Sequence, residues 1–282
     1  MQEWSVRGRC RFGGGGMSAP IAVTIAGSDS GGGAGIQADI KTFSALGVYG
    51  ASVITALTAQ NTLGVRAIHD PPPEFITAQI DAVFSDLDVS AVKIGMLSRT
   101  VTIEAVAAGI DRHAMRNVVL DPVMVAASGD RLLSPEAVAA LRLLLIPRAL
   151  VITPNLPEAA ALTDTPIAAN EDEMRMQAQK LLKLGAKAVL IKGGHGQGAE
   201  SSDLLIDAGG FVRLTAPRLP THNTHGTGCT LSSAVAAELA KGRTLADAVR
   251  IAKNYITAAI KAADRLKVGK GHGPVHHFHQ WW

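Results

Sequence analysis

Cysteine is nearly absent: Cys10 and Cys229 are the only two in 282 residues. Two thiols, one in a terminal stretch, cannot make a disulfide framework, so a reducing, cytoplasmic setting is expected. No uninterrupted apolar run approaches the roughly 18 residues that suggest a membrane-spanning helix. Charge of one sign is also lacking. The formal net charge is +3, and Arg7, Arg9 and Arg11 against Glu3 put +2 of it in residues 1–16, leaving +1 elsewhere. With no basic patch interleaved with aromatics, nucleic acid is not expected as a partner. Two nucleotide-binding signatures are missing as well. Gly27–Gly35 is glycine-rich, but it does not set G-x-G-x-x-G directly after a strand, and no acidic residue follows a second strand at the usual distance. No Gly-Lys-Ser/Thr closes a Walker A loop.

What remains is 47% hydrophobic, enough for a substantial core. Residues 1–16 end in Gly13–Gly16 ahead of Met17 and have no apolar signal-peptide region, so they read as a flexible extension outside the functional chain, with a targeting peptide the minor alternative. Residues 17–282 read as one domain. Short β-branched runs at 21–26, 52–56, 91–94, 118–120, 150–152 and 188–191 alternate with helical patterns at 35–46, 73–84, 100–113, 135–145 and 171–184. That alternation predicts an α/β domain with a mostly parallel sheet covered on both faces. Residues 204–206 and 211–214, flanking Asp207-Ala208-Gly209-Gly210, predict an appended β-hairpin, and helices at 227–240 and 245–264 close the chain. In such sheets ligands sit beyond the carboxyl ends of the strands, where the glycine-rich segments 27–35, 193–196 and 226–228 fall.

The last of these segments is the most informative. In His225-Gly226-Thr227-Gly228-Cys229-Thr230-Leu231, two glycines flank a threonine at the start of an alanine-rich helix. Backbone N–H groups there can face an anion without side-chain obstruction, and the helix dipole is expected to favour the Cys229 thiolate. A phosphate cradle and a candidate base are adjacent in sequence.

Six motifs in order carry a family resemblance: Ala26-Gly27-Ser28-Asp29 with Gly32–Asp39, Thr55–Thr62, Lys93–Leu97, Thr153–Glu158, Lys192–His195 and Asn223–Cys229, with a further stretch at Val268–His279. From residue 21 to the C-terminus the chain resembles the bacterial hydroxymethylpyrimidine/phosphomethylpyrimidine kinases of thiamine biosynthesis, members of the ribokinase-like superfamily. The resemblance implies a three-layer αβα sandwich and two successive ATP-dependent transfers with Mg2+. The first is onto the hydroxymethyl group of 4-amino-5-hydroxymethyl-2-methylpyrimidine, the second onto the resulting phosphate. A homodimer is the family expectation.

Roles follow residue by residue. Gln60 ends an apolar stretch, is expected to be buried, and offers an acceptor and a donor complementary to a ring nitrogen beside an exocyclic amine. The resemblance implies that Gly27, Ala34, Met96 and Val123 line the ring pocket, although Met96 by itself equally suits a core. Asp39 by spacing is a surface carboxylate; the family position puts it near the reacting hydroxymethyl group. Asn155-Leu156-Pro157-Glu158 is a capping-box pattern, and the resemblance adds nucleotide contact for Asn155 and Thr227 and a water-mediated Mg2+ for Glu158, provided the glutamate points outward. Lys192 suits neutralisation of transferring phosphate charge. Cys229 is implied as the base, with Gly226 and Gly228 amides stabilising the phosphoryl group. Pyridoxal kinase of the same superfamily is the nearest enzymatic alternative, and a catalytically inactive nucleotide-binding regulator the alternative of another class. His276, His277 and His279 lack the spacing of a metal site.

Overall fold

The computed structural model describes residues 19–125, 133–195 and 200–282. The N-terminal extension with Cys10, and Gly196, lie outside the described residues.

Nine strands form one sheet: β1 (Ile21–Asp29), β2 (Tyr49–Asn61), β3 (Gly64–His69), β4 (Ala91–Ile94), β5 (Val118–Leu120), β6 (Val151–Ile152), β7 (Ala188–Ile191), β8 (Glu200–Asp207) and β9 (Gly210–Pro217). Their order is β3-β2-β1-β4-β5-β6-β7-β8-β9. The six strands from β2 to β7 pair in parallel. The predicted hairpin is β8–β9, antiparallel to β7. A second antiparallel strand, β3, pairs with β2 at the other edge. It was not expected, because its residues are mostly exposed and carry no continuous apolar run.

Short strands alternate cleanly between two cores, as a period of two requires. Val118 and Leu120 face the layer of α2 (Pro73–Phe84), α3 (Thr100–Arg112), α4 (Pro135–Ala140), α5 (Leu156–Thr163) and α6 (Glu171–Lys183). Val119 faces α1 (Gly35–Ala45), α7 (Thr227–Ala240) and α8 (Leu245–Lys261). These three layers are the αβα sandwich expected. The helix predicted at 135–145 is α-helical only to Ala140 and continues as a π turn, Leu141–Leu145. α5 is an additional helix, started by the capping box. None of the described helices is long and apolar enough to cross a membrane.

The topology reverses at β1, which lies between β2 and β4. Ligands bind at such switch points, and the glycine-rich loop after β1 opens there. The C-terminal segment straps this end of the molecule. Lys270 and Gly271 N–H groups donate to Thr62 Oγ1 at 3.2 and 3.1 Å, and His272 N–H to Thr62 O at 3.1 Å. Residues His225 and Pro274 then bridge in parallel. His277 is buried against Thr230, 3.0 Å from its hydroxyl, and burial pushes its imidazole down to about 3. Among the described residues, this histidine-rich signature therefore packs the C-terminus against α7 and α8. Tyr255 of α8 donates to His277 O at 2.6 Å. Tyr255→Phe leaves that buried carbonyl without its partner, and denaturant unfolding should show a loss of about 1–3 kcal/mol.

Candidate active site

The loop after β1 is organised by Asp29. Its carboxylate accepts from Gly31 N–H at 2.8 Å, Gly33 N–H at 3.0 Å and Ala34 N–H at 2.9 Å, and lies 2.9 Å from His225 Nε2. Burial opposes its charge, but His225 and the loop amides outweigh it and hold the carboxyl below its ordinary range. The His225–Asp29 contact joins the glycine loop to the start of α7. The join is tight: Gly226 has φ +79°, and a Cβ there would lie 1.9 Å from Gly33 O. Only glycine fits both the backbone angle and the space.

Behind the loop, Asp39 is completely buried. It is therefore not the surface carboxylate that spacing suggests, because α1 turns this position inward onto the sheet. Lys93 Nζ of β4 donates to it at 2.9 and 3.0 Å, Thr24 at 2.6 Å and Ser233 of α7 at 2.6 Å. Burial disfavours charge on Lys93, yet Asp39, with Cys229 and Asp121 behind it, holds the ammonium above its ordinary range.

A second network repeats the pattern. Asp121, just past β5, accepts from Lys192 Nζ at 2.7 Å, Thr153 at 3.0 Å and Ser232 of α7 at 3.2 Å. Burial pushes the Asp121 carboxyl up; Lys192 and Lys93 overcome that and hold it low. Lys192 is likewise disfavoured by burial and held high by Asp121 and Glu158. Lys192 also lies 3.9 Å from Glu158.

Glu158 does not point outward. Its Oε2 accepts Asn155 N–H at 2.8 Å, while Asn155 Oδ1 accepts Glu158 N–H at 2.9 Å, closing the capping box. Burial and the neighbouring Asp121 push the Glu158 carboxyl up to about 7, against the pull of Lys192. Thr227, the first residue of α7, turns both its N–H and its hydroxyl back to Thr224 O, at 3.2 and 2.7 Å.

Cys229 departs from the expected depression. Burial pushes its thiol up to about 11, Asp39 and Asp121 add to that, and Lys93 and the Gly35 N–H oppose it. Two buried carboxylates and the loss of water outweigh the favourable end of the helix. Gly228 brings Lys192 to the same place: a Cβ built on it would lie 3.3 Å from Lys192 Nζ.

The pyrimidine-side residues are more dispersed. Met96 is buried, and a Cβ on Gly27 would lie 3.2 Å from its Sδ, so the two share one wall at the switch point. Gln60 is half-buried near the end of β2 rather than enclosed. Its Oε1 accepts from Thr58 Oγ1 at 3.1 Å, and its backbone is tied to Ser30. Its place near the sheet edge explains the difference: beyond β2 lies only β3, whose residues are mostly exposed. Val123 is half-buried two residues past Asp121.

Asp29, Lys93 and His225 stand inside recognised motifs without an individual role, and Asp121, Ser232 and Ser233 stand outside them. Asp121 had one readable signal, an acid at the carboxyl end of an apolar strand. The serines had none, since a helix of small residues hides which hydroxyls meet a charge.

Paired ammonium and carboxylate groups beside a helix start, at the carboxyl edge of a ribokinase-like sheet, are the electrostatic setting of a small-molecule kinase. Solved kinases share the fold. An ADP complex of Bacillus subtilis pyridoxal kinase matches with TM-score 0.87 and 40% identity over 93% of this chain and 99% of that one. Phosphomethylpyrimidine kinase from Clostridium difficile 630 matches with TM-score 0.76 and 47% identity over 85% and 99%. Residues 29–276 match the phosphomethylpyrimidine kinase family, and the chain belongs to it. The hydroxymethylpyrimidine/phosphomethylpyrimidine kinase of Rhizobium meliloti strain 1021 is 64% identical over 93% of this chain and 98% of its own length. The Escherichia coli K12 enzyme of the same description is 57% identical over the same shares.

Gly226→Ala should damage both site and fold, because the added carbon meets Gly33 O and the backbone angle is strained. A stability loss of about 1–3 kcal/mol in urea titration, with loss of kinase activity, is expected.

Proposed function

We propose that this chain phosphorylates 4-amino-5-hydroxymethyl-2-methylpyrimidine with ATP and then phosphorylates the product to the diphosphate, in thiamine biosynthesis. The observation that carries the reading is near-full-length identity of 57–64% to kinases described by those two substrates. A reducing cytoplasmic setting, in which Cys229 stays a thiol, goes with it. We extend it to a homodimer, for which exposed Tyr49, Leu57, Leu63 and Ile68 on and beside the β2–β3 edge offer apolar surface.

In the first transfer the hydroxymethyl oxygen attacks the γ-phosphorus, the bond from phosphorus to the ADP oxygen breaks, and the hydroxyl proton passes to the Cys229 thiolate. Gly226 and Gly228 at the head of α7 favour charge on the moving phosphoryl group, and Lys192 neutralises part of it. Asn155 and Thr227 lie on the nucleotide side. Gly27, Ala34, Met96 and Val123 line the ring, and the Gln60 amide reads its nitrogen and exocyclic amine.

Glu158 is turned into its cap, so holding Mg2+ through water would require its carboxylate to leave the Asn155 N–H. Among the described residues no group of three or more His, Cys, Asp or Glu is placed to bind a metal, whereas Mg2+ ordinarily keeps several waters and takes one or two carboxylates plus phosphates. Burial, with Asp121 beside it, pushes the Glu158 carboxyl up even against Lys192, so added positive charge would favour its ionised form. When bound, the ion screens the phosphate oxygens.

The second transfer needs no base. A phosphomonoester has its second pKa near 6, so the attacking oxygen is already largely anionic at neutral pH. Cys229→Ala should therefore slow the first phosphorylation by about 10²–10⁴-fold and leave the second nearly unchanged; equal losses in the two steady-state rates would sink the assignment.

The pH dependence separates the steps further. With the thiol near 11, about one Cys229 in 10,000 is thiolate at pH 7. A base works deprotonated, so first-step kcat/KM should climb roughly tenfold per unit through neutrality toward that value. The second step should level off above about pH 7, where the acceptor phosphate and Glu158 are ionised. Parallel profiles would count against the division.

Pyridoxal kinase remains the second reading, favoured by the 40% identity to the Bacillus subtilis enzyme. Incubation with ATP, Mg2+ and either hydroxymethylpyrimidine or pyridoxal, resolving mono- from diphosphate, decides between them. Diphosphate from the pyrimidine is expected. Exclusive pyridoxal phosphorylation would overturn the proposal, and no product from either would revive the inactive regulator.

A further inference from the structure

The exit of β7 is held from both sides. Lys192 N–H donates to Pro154 O at 2.8 Å, and the residue bridges in parallel to Asn155. On the other side Gly193 N–H donates to Asp203 Oδ1 of β8 at 2.9 Å. The second Asp203 oxygen takes Lys253 Nζ of α8 at 2.7 Å. Both side chains of this pair are buried, 5% and 8% exposed.

Asp203 is out of place in its strand. Leu204 and Ile206 face one core and Leu205 the other. Alternation puts Asp203 on the Leu205 side, toward α8. Apolar residues could fill that position, and replacing a buried ion pair by well-packed apolar side chains is often neutral or stabilising. Stability alone gives little reason for a carboxylate and an ammonium there. The contact to Gly193 gives one. A Cβ on Gly193 would lie 1.9 Å from Ser202 O, so β8 is drawn tight against the β7 exit, and the buried N–H needs an acceptor at that point.

We propose that Asp203, oriented by Lys253, is a positioning residue for both phosphoryl transfers: it fixes the Gly193 N–H and so the backbone from which Lys192 reaches the transfer site. Asp203 touches neither Cys229 nor the ring pocket in the contacts described, so its effect falls equally on the two steps. The inference rests on the role given above to Lys192.

Three variants test it, each assayed for both phosphorylations and for thermal stability. Asp203→Leu with Lys253→Met removes both charges and the acceptor together, so the fold need not bury a lone ion. It should stay folded and lose about tenfold in kcat on both substrates, since small misplacements near a reaction centre carry losses of that order or more. KM for hydroxymethylpyrimidine should not change. Asp203→Asn with Lys253→Met keeps an acceptor for Gly193 without the ion pair, and should recover most of the loss. Lys192→Met is the third and should be nearly inactive in both steps. A folded Leu/Met double variant with unchanged kcat overturns the positioning role, as does an Asn/Met variant no better than the Leu/Met one. Full activity in Lys192→Met instead overturns the reading of Lys192, and this inference with it.

Discussion

Two buried carboxylates hold this site together, and each is shared among elements that are far apart in the chain. Asp39 of α1 binds Lys93 of β4, Thr24 of β1 and Ser233 of α7. Asp121 after β5 binds Lys192 after β7, Thr153 after β6 and Ser232 of α7. Consecutive serines on one helix thus anchor two ion pairs at the same edge of the sheet. Charges taken out of water tolerate little loss of partners. The carboxyl edge is therefore fixed as a unit, with the head of α7 seated on it.

That arrangement sets the chemistry of Cys229. A thiol at a helix start, taken by itself, has a depressed pKa. Here burial of the sulfur, with the carboxylates that seat the helix adding to it, moves the thiol up instead. Its proton affinity goes with the role of a base that accepts a proton as the phosphoryl group arrives. The same carboxylates keep Lys93 and Lys192 charged inside the protein. One network thereby tunes three groups, and substitution in it would affect fold and chemistry together.

The glycine loop depends on the same closeness. Asp29 gathers three loop amides and meets His225, and Gly33 and Gly226 touch backbone to backbone. The C-terminal strap adds a third segment, tying Thr62 to the His225 loop. The ring side and the phosphoryl side are in this way parts of one packed surface drawn from both ends of the chain.

Local pattern by itself determined the elements whose burial is two-sided. β4, β5, β7 and α7 fall at the residues that apolar runs and helical spacing indicate, because a strand or helix enclosed on nearly all sides is apolar along most of its length. The family resemblance and the order of its motifs were legible too. The tertiary structure alone decided matters that depend on which distant residues come together. β3 emerged from pairing with β2 rather than from a pattern of its own. Gln60 proved half-open because its strand lies near the sheet edge, Asp39 buried because α1 faces it inward, and Glu158 turned into its own cap. Asp121, Ser232, Ser233 and Asp203 acquired meaning only through partners up to 194 residues away in the Asp39–Ser233 case. Sequence spacing carries periodicity, which is local; the charge around a side chain is a sum over neighbours that only folding assembles.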